Sequence, residues 1–153
     1  MARQKQTNVK TIRNKRATFD YDLGDSIVAG LVLTGAETKA LRLGHGHLRG
    51  AYVTVKDGEL YLLNATITGF NGVKLSETEQ TRSRKLLLKK REIDQLLADK
   101  KQGKSIVPIE LLTQGHYIKV RISSGTGKKN YDKRQVIKER DQKRANQLEL
   151  KNR

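Results

Sequence analysis

The sequence predicts a mainly β domain: a closed antiparallel barrel of the OB kind, with about six or seven strands, two or three flanking helices and a disordered basic C-terminal tail. Three observations carry that reading. Short β-branched or alternating runs recur, with turn signals such as Asp57-Gly58, Asn71-Gly72 and Gln114-Gly115 between them. The runs follow one another without regular βαβ alternation, which argues against a parallel sheet. The chain has 153 residues, enough for a single core, and no cysteine, so neither a disulfide framework nor a zinc knuckle supports it.

Taken in order, residues 1–12 form a polar basic arm without periodicity and are expected to be disordered. A body follows over residues 13–124. Residues 27–33 (Ile-Val-Ala-Gly-Leu-Val-Leu) read as a buried strand with a bend or bulge at Gly30. Thr34-Gly-Ala-Glu37 matches a capping box and opens a helix over residues 35–43, stopped by Gly44. Residues 52–55 and 59–63 pair across Asp57-Gly58, and residues 65–70 add a further strand. Residues 75–80 read as a polar loop. Ser83 caps a long helix over residues 84–101, with Leu86, Ile93 and Leu97 on one face, widened by Leu87 and Leu96. Residues 105–112 form a strand that Pro108 confines to an edge or a bulge. Residues 117–122 alternate strictly: Ile118, Val120 and Ile122 face in, and Tyr117, Lys119 and Arg121 face out.

The net charge of +16 is concentrated in three places. Residues 1–16 and 82–91 each hold six Lys or Arg and no acid, and residues 125–153 hold ten against four acids. A nearly neutral body carrying three basic surfaces points to a polyanionic partner. Cations in the first turns of the helix expected over residues 84–101 oppose its dipole, which again suggests an anionic partner.

The densest signal is Gly125-Thr-Gly-Lys-Lys-Asn-Tyr-Asp-Lys-Arg134. Lys128, Lys129, Lys133 and Arg134 can neutralise phosphates, and Tyr131 offers a face on which a base can stack. The tail over residues 125–153 has few apolar residues, among them Val136 and Ile137, and is expected to be disordered alone and helical when bound.

Other chemistries fit less well. Ser124-Gly-Thr-Gly-Lys-Lys129 lacks the first glycine of a phosphate-binding loop, since Ile122 stands there, and Lys129 replaces the Ser or Thr that should follow the lysine. His45-Gly-His47 offers two imidazoles with no cysteine to complete a metal set. Asp20, Asp22 and Asp25 have calcium-loop spacing, but Leu31 occupies the position of the bidentate glutamate. No metal, no cofactor and no catalytic residue is therefore expected. The N-terminus has no apolar leader, and residues 27–33 are too short to span a bilayer, so a cytosolic monomer with no membrane partner is the expectation.

Several segments together resemble the small protein B (SmpB) family. They are Asn14-Lys-Arg-Ala17, Asp20-Tyr21, Ala29-Gly-Leu-Val-Leu-Thr-Gly35, Glu37-Thr-Lys-Ala-Leu-Arg42, Arg82-Ser-Arg-Lys-Leu-Leu-Leu88, Arg91-Glu-Ile93, Val107-Pro108, Lys119-Val120 and Gly127-Lys-Lys-Asn-Tyr-Asp-Lys-Arg134. The resemblance implies an RNA-binding OB-like barrel that holds the tRNA-like domain of transfer-messenger RNA. It also implies a tail that enters the decoding region of a stalled small ribosomal subunit, against its rRNA, during ribosome rescue. By position it assigns RNA binding to Asn14, Lys15, Arg16, Leu87 and Lys119. The ribosome-facing role falls on Lys128, Lys129, Tyr131, Asp132, Lys133, Arg134 and Ile137, in a tail helical when bound to the ribosome. Val28 stands where the family usually has glutamate, so no contact of that glutamate carries over. The rival reading is a ribosomal or general single-stranded RNA-binding protein on the same barrel.

Overall fold

The computed structural model describes residues 11–69 and 74–152, with the side chains of Asn130 and Tyr131 outside the described set. Strand β1 (Ile12–Arg13) leads into helix α1 (Lys15–Asp20), then strand β2 (Tyr21–Leu31) and helix α2 (Gly35–Arg42). Strands β3 (Gly46–His47), β4 (Tyr52–Lys56), β5 (Glu59–Leu63) and β6 (Thr66–Ile67) follow, then the short helix α3 (Glu77–Gln80). Strand β7 (Arg84–Leu87), helix α4 (Lys90–Lys101), strands β8 (Ser105–Leu112) and β9 (Lys119–Gly127) and helix α5 (Asn130–Lys151) complete the described chain.

Seven strands form one antiparallel sheet in the order β1-β8-β4-β5-β7-β2-β9, with a further ladder between β8 and β9. Strands β3 and β6 pair separately. The core is aliphatic: Leu60, Leu62, Leu86, Leu96, Ile106, Leu111, Ile118, Val120 and Ile122 pack together, with Ala40, Leu41 and Leu48 supplied by α2 and the chain after it.

Most of the expected elements are present. Strand β8 spans residues 105–112, and its ladder with β9 shifts register between Pro108 and Glu110, which is the bulge that a proline without an N–H requires. The β4–β5 hairpin turns through Asp57 and Gly58, both at positive φ (53° and 76°), as a tight two-residue hairpin turn demands. Ile118, just before β9, and Val120 and Ile122 within it are buried and Lys119 is exposed, as the alternation predicts.

Four expectations are corrected. Residues 84–87 form a strand, not the first turns of a helix, because β7 is hydrogen-bonded between β2 and β5. Tertiary pairing overrides the helix propensity of a Leu- and Lys-rich run. The irregularity in β2 lies between Leu23 and Ser26, not at Gly30, which pairs regularly with both neighbours. Residues 77–80 are a short helix capped by Ser76 and Glu79, not a loop. The tail, expected to be disordered on its own, is the helix α5.

Of the basic arm, residues 1–10 lie outside the described residues, while Ile12 is buried in β1 against Leu111. The strand expected over residues 65–70 is present as Thr66–Ile67, and Asn71-Gly72 lies outside the described residues. Strand β9 continues through Gly127, paired to Tyr21, so the chain leaves the sheet at Lys128. Gly125 is needed there, because a Cβ would collide with the backbone of Asp22 on β2. Among the described residues, no helix is long and apolar enough to cross a membrane.

Candidate nucleic-acid interface

Strand alternation after Ser83 sends Arg84 and Leu86 inward and Lys85 and Leu87 outward. Leu87 is 53% exposed. It lies directly opposite Gly30 on β2, and Gly30 lies opposite Lys119 on β9. Directly opposed residues share a sheet face. Leu87 and Lys119, far apart in sequence, thus flank one glycine and stand about 10 Å apart, two strand spacings. A side chain at Gly30 would press on Leu87, with a Cβ 3.2 Å from the Leu87 Cβ, so the glycine keeps this face low. Two residues along β2, Val28 is also exposed and faces Arg121. The result is a surface with an apolar centre and cationic edges. Such a surface suits the sugar and base faces of RNA with phosphates beside them.

The N-terminal candidates divide. Asn14 is buried and both ends of its amide are engaged: Oδ1 accepts from the Ala17 N–H at 3.3 Å, capping α1, and Nδ2 donates to the Pro108 carbonyl at 3.0 Å. It fixes α1 against β8. Lys15 and Arg16 are exposed on that helix.

One cluster was not legible in the sequence. Glu37, at the third position of α2, completes the expected capping box with Thr34 and is 2% exposed. It also accepts from Arg82 Nη2 at 2.6 Å and from Arg84 Nε at 2.5 Å. Arg84 itself is 1% exposed and donates to the carbonyls of Ala65, Glu79, Gln80 and Arg82. Burial pushes the Glu37 carboxyl up, but hydrogen bonds from Arg84 and Arg82 and their two charges outweigh it and hold the carboxyl below its ordinary value. Arg84 turns inward as the first residue of a strand and Arg82 lies just before it, so the helical reading hid the pair. A strand starting at Arg84, with that arginine inward, would have called for a buried acid. Nearby, Lys85 Nζ donates to Glu59 Oε2 at 2.9 Å, and that hydrogen bond and charge raise the Lys85 pKa. Within residues 82–91, Lys89, Lys90 and Arg91 remain exposed.

The tail is anchored where it leaves the sheet. The Lys128 N–H donates to the Asp20 carbonyl at 2.8 Å, and Lys128 Nζ donates to the Thr18 carbonyl at 3.1 Å. One turn into α5, Lys133 Nζ lies 3.3 Å from Asp20 Oδ1. Lys129, Asp132 and Arg134 are exposed, and Ile137 is 45% exposed. The side chain of Tyr131, the expected stacking residue, lies outside the described residues. The two candidate regions sit at opposite ends of β2. Its first residue, Tyr21, pairs with Gly127 beside the tail, and Gly30 pairs with Leu87 and Lys119.

A family model described as "SmpB protein" matches residues 11–152. An "SsrA-binding protein" of Oenococcus oeni is 44% identical over 153 residues, covering 99% of both chains. One of Acholeplasma laidlawii is 42% identical over 140 residues, covering 91% of this chain and 94% of that protein. A solved structure described as "tmRNA-SmpB: a journey to the center of the bacterial ribosome" contains a chain of similar fold. Its TM-score is 0.65 at 34% identity, covering 78% of this chain and 85% of that one.

Proposed function

The chain belongs to the SmpB protein family, and from that premise we propose that it binds the tRNA-like domain of transfer-messenger RNA and carries it to stalled ribosomes, in trans-translation. The observation that carries the proposal is the meeting of Leu87, Gly30 and Lys119 on one sheet face, with the basic tail leaving from the far end of the same strand. Two RNA-facing regions held apart by one rigid strand suit an adaptor between two RNAs.

In this reading the sheet is an OB-like barrel. The ladder between β8 and β9 supports it, because it links the end of the strand order back to an inner strand. The Leu87–Lys119 face holds the tRNA-like domain, and Lys15 and Arg16, on α1 at the tail end of β2, are further RNA-binding cations. Lys128, Lys129, Tyr131, Asp132, Lys133, Arg134 and Ile137 serve the decoding region in place of an anticodon arm. The protein works by binding, without a cofactor or a catalytic step, as a cytoplasmic monomer.

Removing residues 132–153 tests the division of labour. Affinity for isolated transfer-messenger RNA is expected to stay within about twofold, with an unchanged salt slope, while tagging on stalled ribosomes is lost. Full tagging by the truncated chain would overturn the tail's role. Competition of transfer-messenger RNA against poly-U and ordinary tRNA separates this reading from a general single-strand binder, which would take all three alike.

A further inference from the structure

One row of opposed residues crosses four strands on the outer face of the sheet. Leu87 on β7 faces Gly30 on β2, Gly30 faces Lys119 on β9, and Lys119 faces Leu112 on β8. The next row, Ala29, Val120, Leu111 and Ile12, is buried, and its last member lies on β1. Strand alternation therefore turns Thr11, the residue before Ile12, to the outer face. Strand β1 is antiparallel to β8, with Arg13 opposite Glu110 and Ile12 opposite Leu111. Followed backwards, the chain thus runs away from α1, toward Leu112 and the turn into β9. One more step of the same register brings Thr11 level with Leu112, two strand spacings or about 10 Å from Lys119. That turn is held in place by Arg42 on α2, which donates to the carbonyls of Thr113, Gly115 and His116 at 3.4, 2.8 and 3.0 Å. At its end Tyr117 stands 80% exposed, two residues before Lys119.

The ten residues before Thr11 carry Arg3, Lys5 and Lys10 and no acid. We infer that this arm is a second grip on the RNA seated on the Leu87–Lys119 face: its three cations take phosphates of that RNA beside Tyr117, and it acts with the sheet rather than with the tail. The inference rests on the proposed function. Reach is sufficient, since ten residues span up to about 33–36 Å when extended and the row from Thr11 to Leu87 covers four strand spacings, about 19 Å. Two observations select this RNA over ribosomal RNA. The arm begins about 10 Å from Lys119, whereas the tail leaves the sheet after Gly127, eight residues further along β9 and up to about 27 Å away. The backbone of β1 also points the arm away from α1, the helix that carries Lys15 and Arg16 to the tail end. The arm and Lys119 are alike in charge, so an anion between them is what brings them together.

Arg3→Gln, Lys5→Gln and Lys10→Gln combined leave residues 11–153 unaltered, so the melting temperature should stay where it is. Affinity for isolated transfer-messenger RNA should fall about tenfold or more, and the slope of log affinity against log salt should become shallower by about 2–3, the share of three phosphate contacts. Unchanged affinity and slope would overturn the inference, as would a loss confined to ribosome binding. A parent chain that held poly-U as tightly as transfer-messenger RNA would sink the proposed function, and the inference with it. A parent that prefers transfer-messenger RNA, beside a triple variant that binds it equally well, would sink the inference alone.

The chain has no cysteine, so Thr7→Cys gives a single site for a tethered iron probe that cuts nearby RNA by hydroxyl radicals. With isolated transfer-messenger RNA, and again on stalled ribosomes, this probe is expected to cut the tRNA-like domain within one short run of nucleotides. Cuts spread evenly over the RNA, or found in small-subunit rRNA alone, would mean that the arm has no fixed place beside the sheet, and would overturn the inference.

Discussion

The basic stretch over residues 82–91 and the basic helix α5 look alike in composition and serve opposite ends. In the first, Arg84 is buried, Arg82 shares its carboxylate partner, and Lys85 is paired with Glu59. Half of that stretch's charge is paired with acids of the same chain. In α5, Lys133 has an acidic partner in Asp20, and from residue 138 to residue 152 every residue is exposed. A run of like charge is therefore evidence for a polyanionic partner only after acids elsewhere in the chain have been subtracted. Glu37, one side chain, cancels part of what looked like a binding surface.

The strongest way to break that contrast is Glu37→Ala. It strands a buried Arg84 guanidinium and should cost about 3–5 kcal/mol of folding stability, read from the denaturant midpoint at unchanged slope. Arg134→Ala, on exposed α5, should leave the midpoint within about 0.5 kcal/mol of the parent. Equal losses would erase the distinction between the two stretches. The same carboxyl has a pH signature. Its folded pKa lies below its ordinary value of 4.5, so its stabilisation is fully present above that pH and is lost as pH falls through the depressed folded value. In Glu37→Ala, the fall in stability below about pH 4.5 should be shallower than in the parent.

The RNA face comes next. Lys119→Ala should keep the melting temperature and weaken binding to transfer-messenger RNA by about 1.5–3 kcal/mol, one charge-assisted contact. Leu87→Ala sharpens the point. As a core residue it would cost about 2–5 kcal/mol of stability. At 53% exposure it should instead cost less than about 1 kcal/mol of stability and lower RNA affinity in a fully folded protein. Binding that tracks only the fraction folded would remove Leu87 from the interface.

How far the sequence could be read depended on whether local preference and tertiary pairing agreed. They agree in β8, where Pro108 and the flanking aliphatics specify a bulged strand, and in the Thr34–Glu37 capping box. They disagree at Arg84-Lys-Leu-Leu87, whose residues favour helix locally and which becomes a strand because two neighbours supply hydrogen bonds. That one error moved Leu87 from beside a helix's apolar face to the exposed face of a sheet and concealed the Glu37 cluster. Lys119 was legible because strict alternation fixes sidedness without knowledge of the neighbours. Its closeness to Leu87 was not, because that depends on strand order. Asn14 carries a motif that reads as RNA-binding, yet its amide is spent on Ala17 and Pro108. Composition could not separate a cap from a contact. In α5 the helix-forming residues were visible, and nothing in them foretold the anchor at Asp20.

That anchor gives the smallest expected effect and the finest test of the contrast. Asp20 and Lys133 are each about one-quarter to one-third exposed at the side chain, and a partly solvated pair of this kind contributes about 0.2–1 kcal/mol. Asp20→Lys should therefore barely move the melting temperature. Its consequence should appear in the direction of the tail, because Lys133 lies one turn into α5 and the remaining anchors, both from Lys128, precede the helix. Spin labels on α4 and α5 should report a narrow distance distribution in the parent and a broader one in Asp20→Lys. Lys133→Asp alone should broaden it in the same way. Combining the two restores an ion pair of reversed sense, and the narrow distribution should return. Arg16 also touches Asp20, and in the double variant it would face a lysine, so recovery will be incomplete if Arg16 shares the anchoring. A distribution indifferent to all three variants would mean that Lys128 alone sets the tail's course. In that case Lys133 would be as free for phosphates as Arg134, and the tail would stand apart from the body altogether.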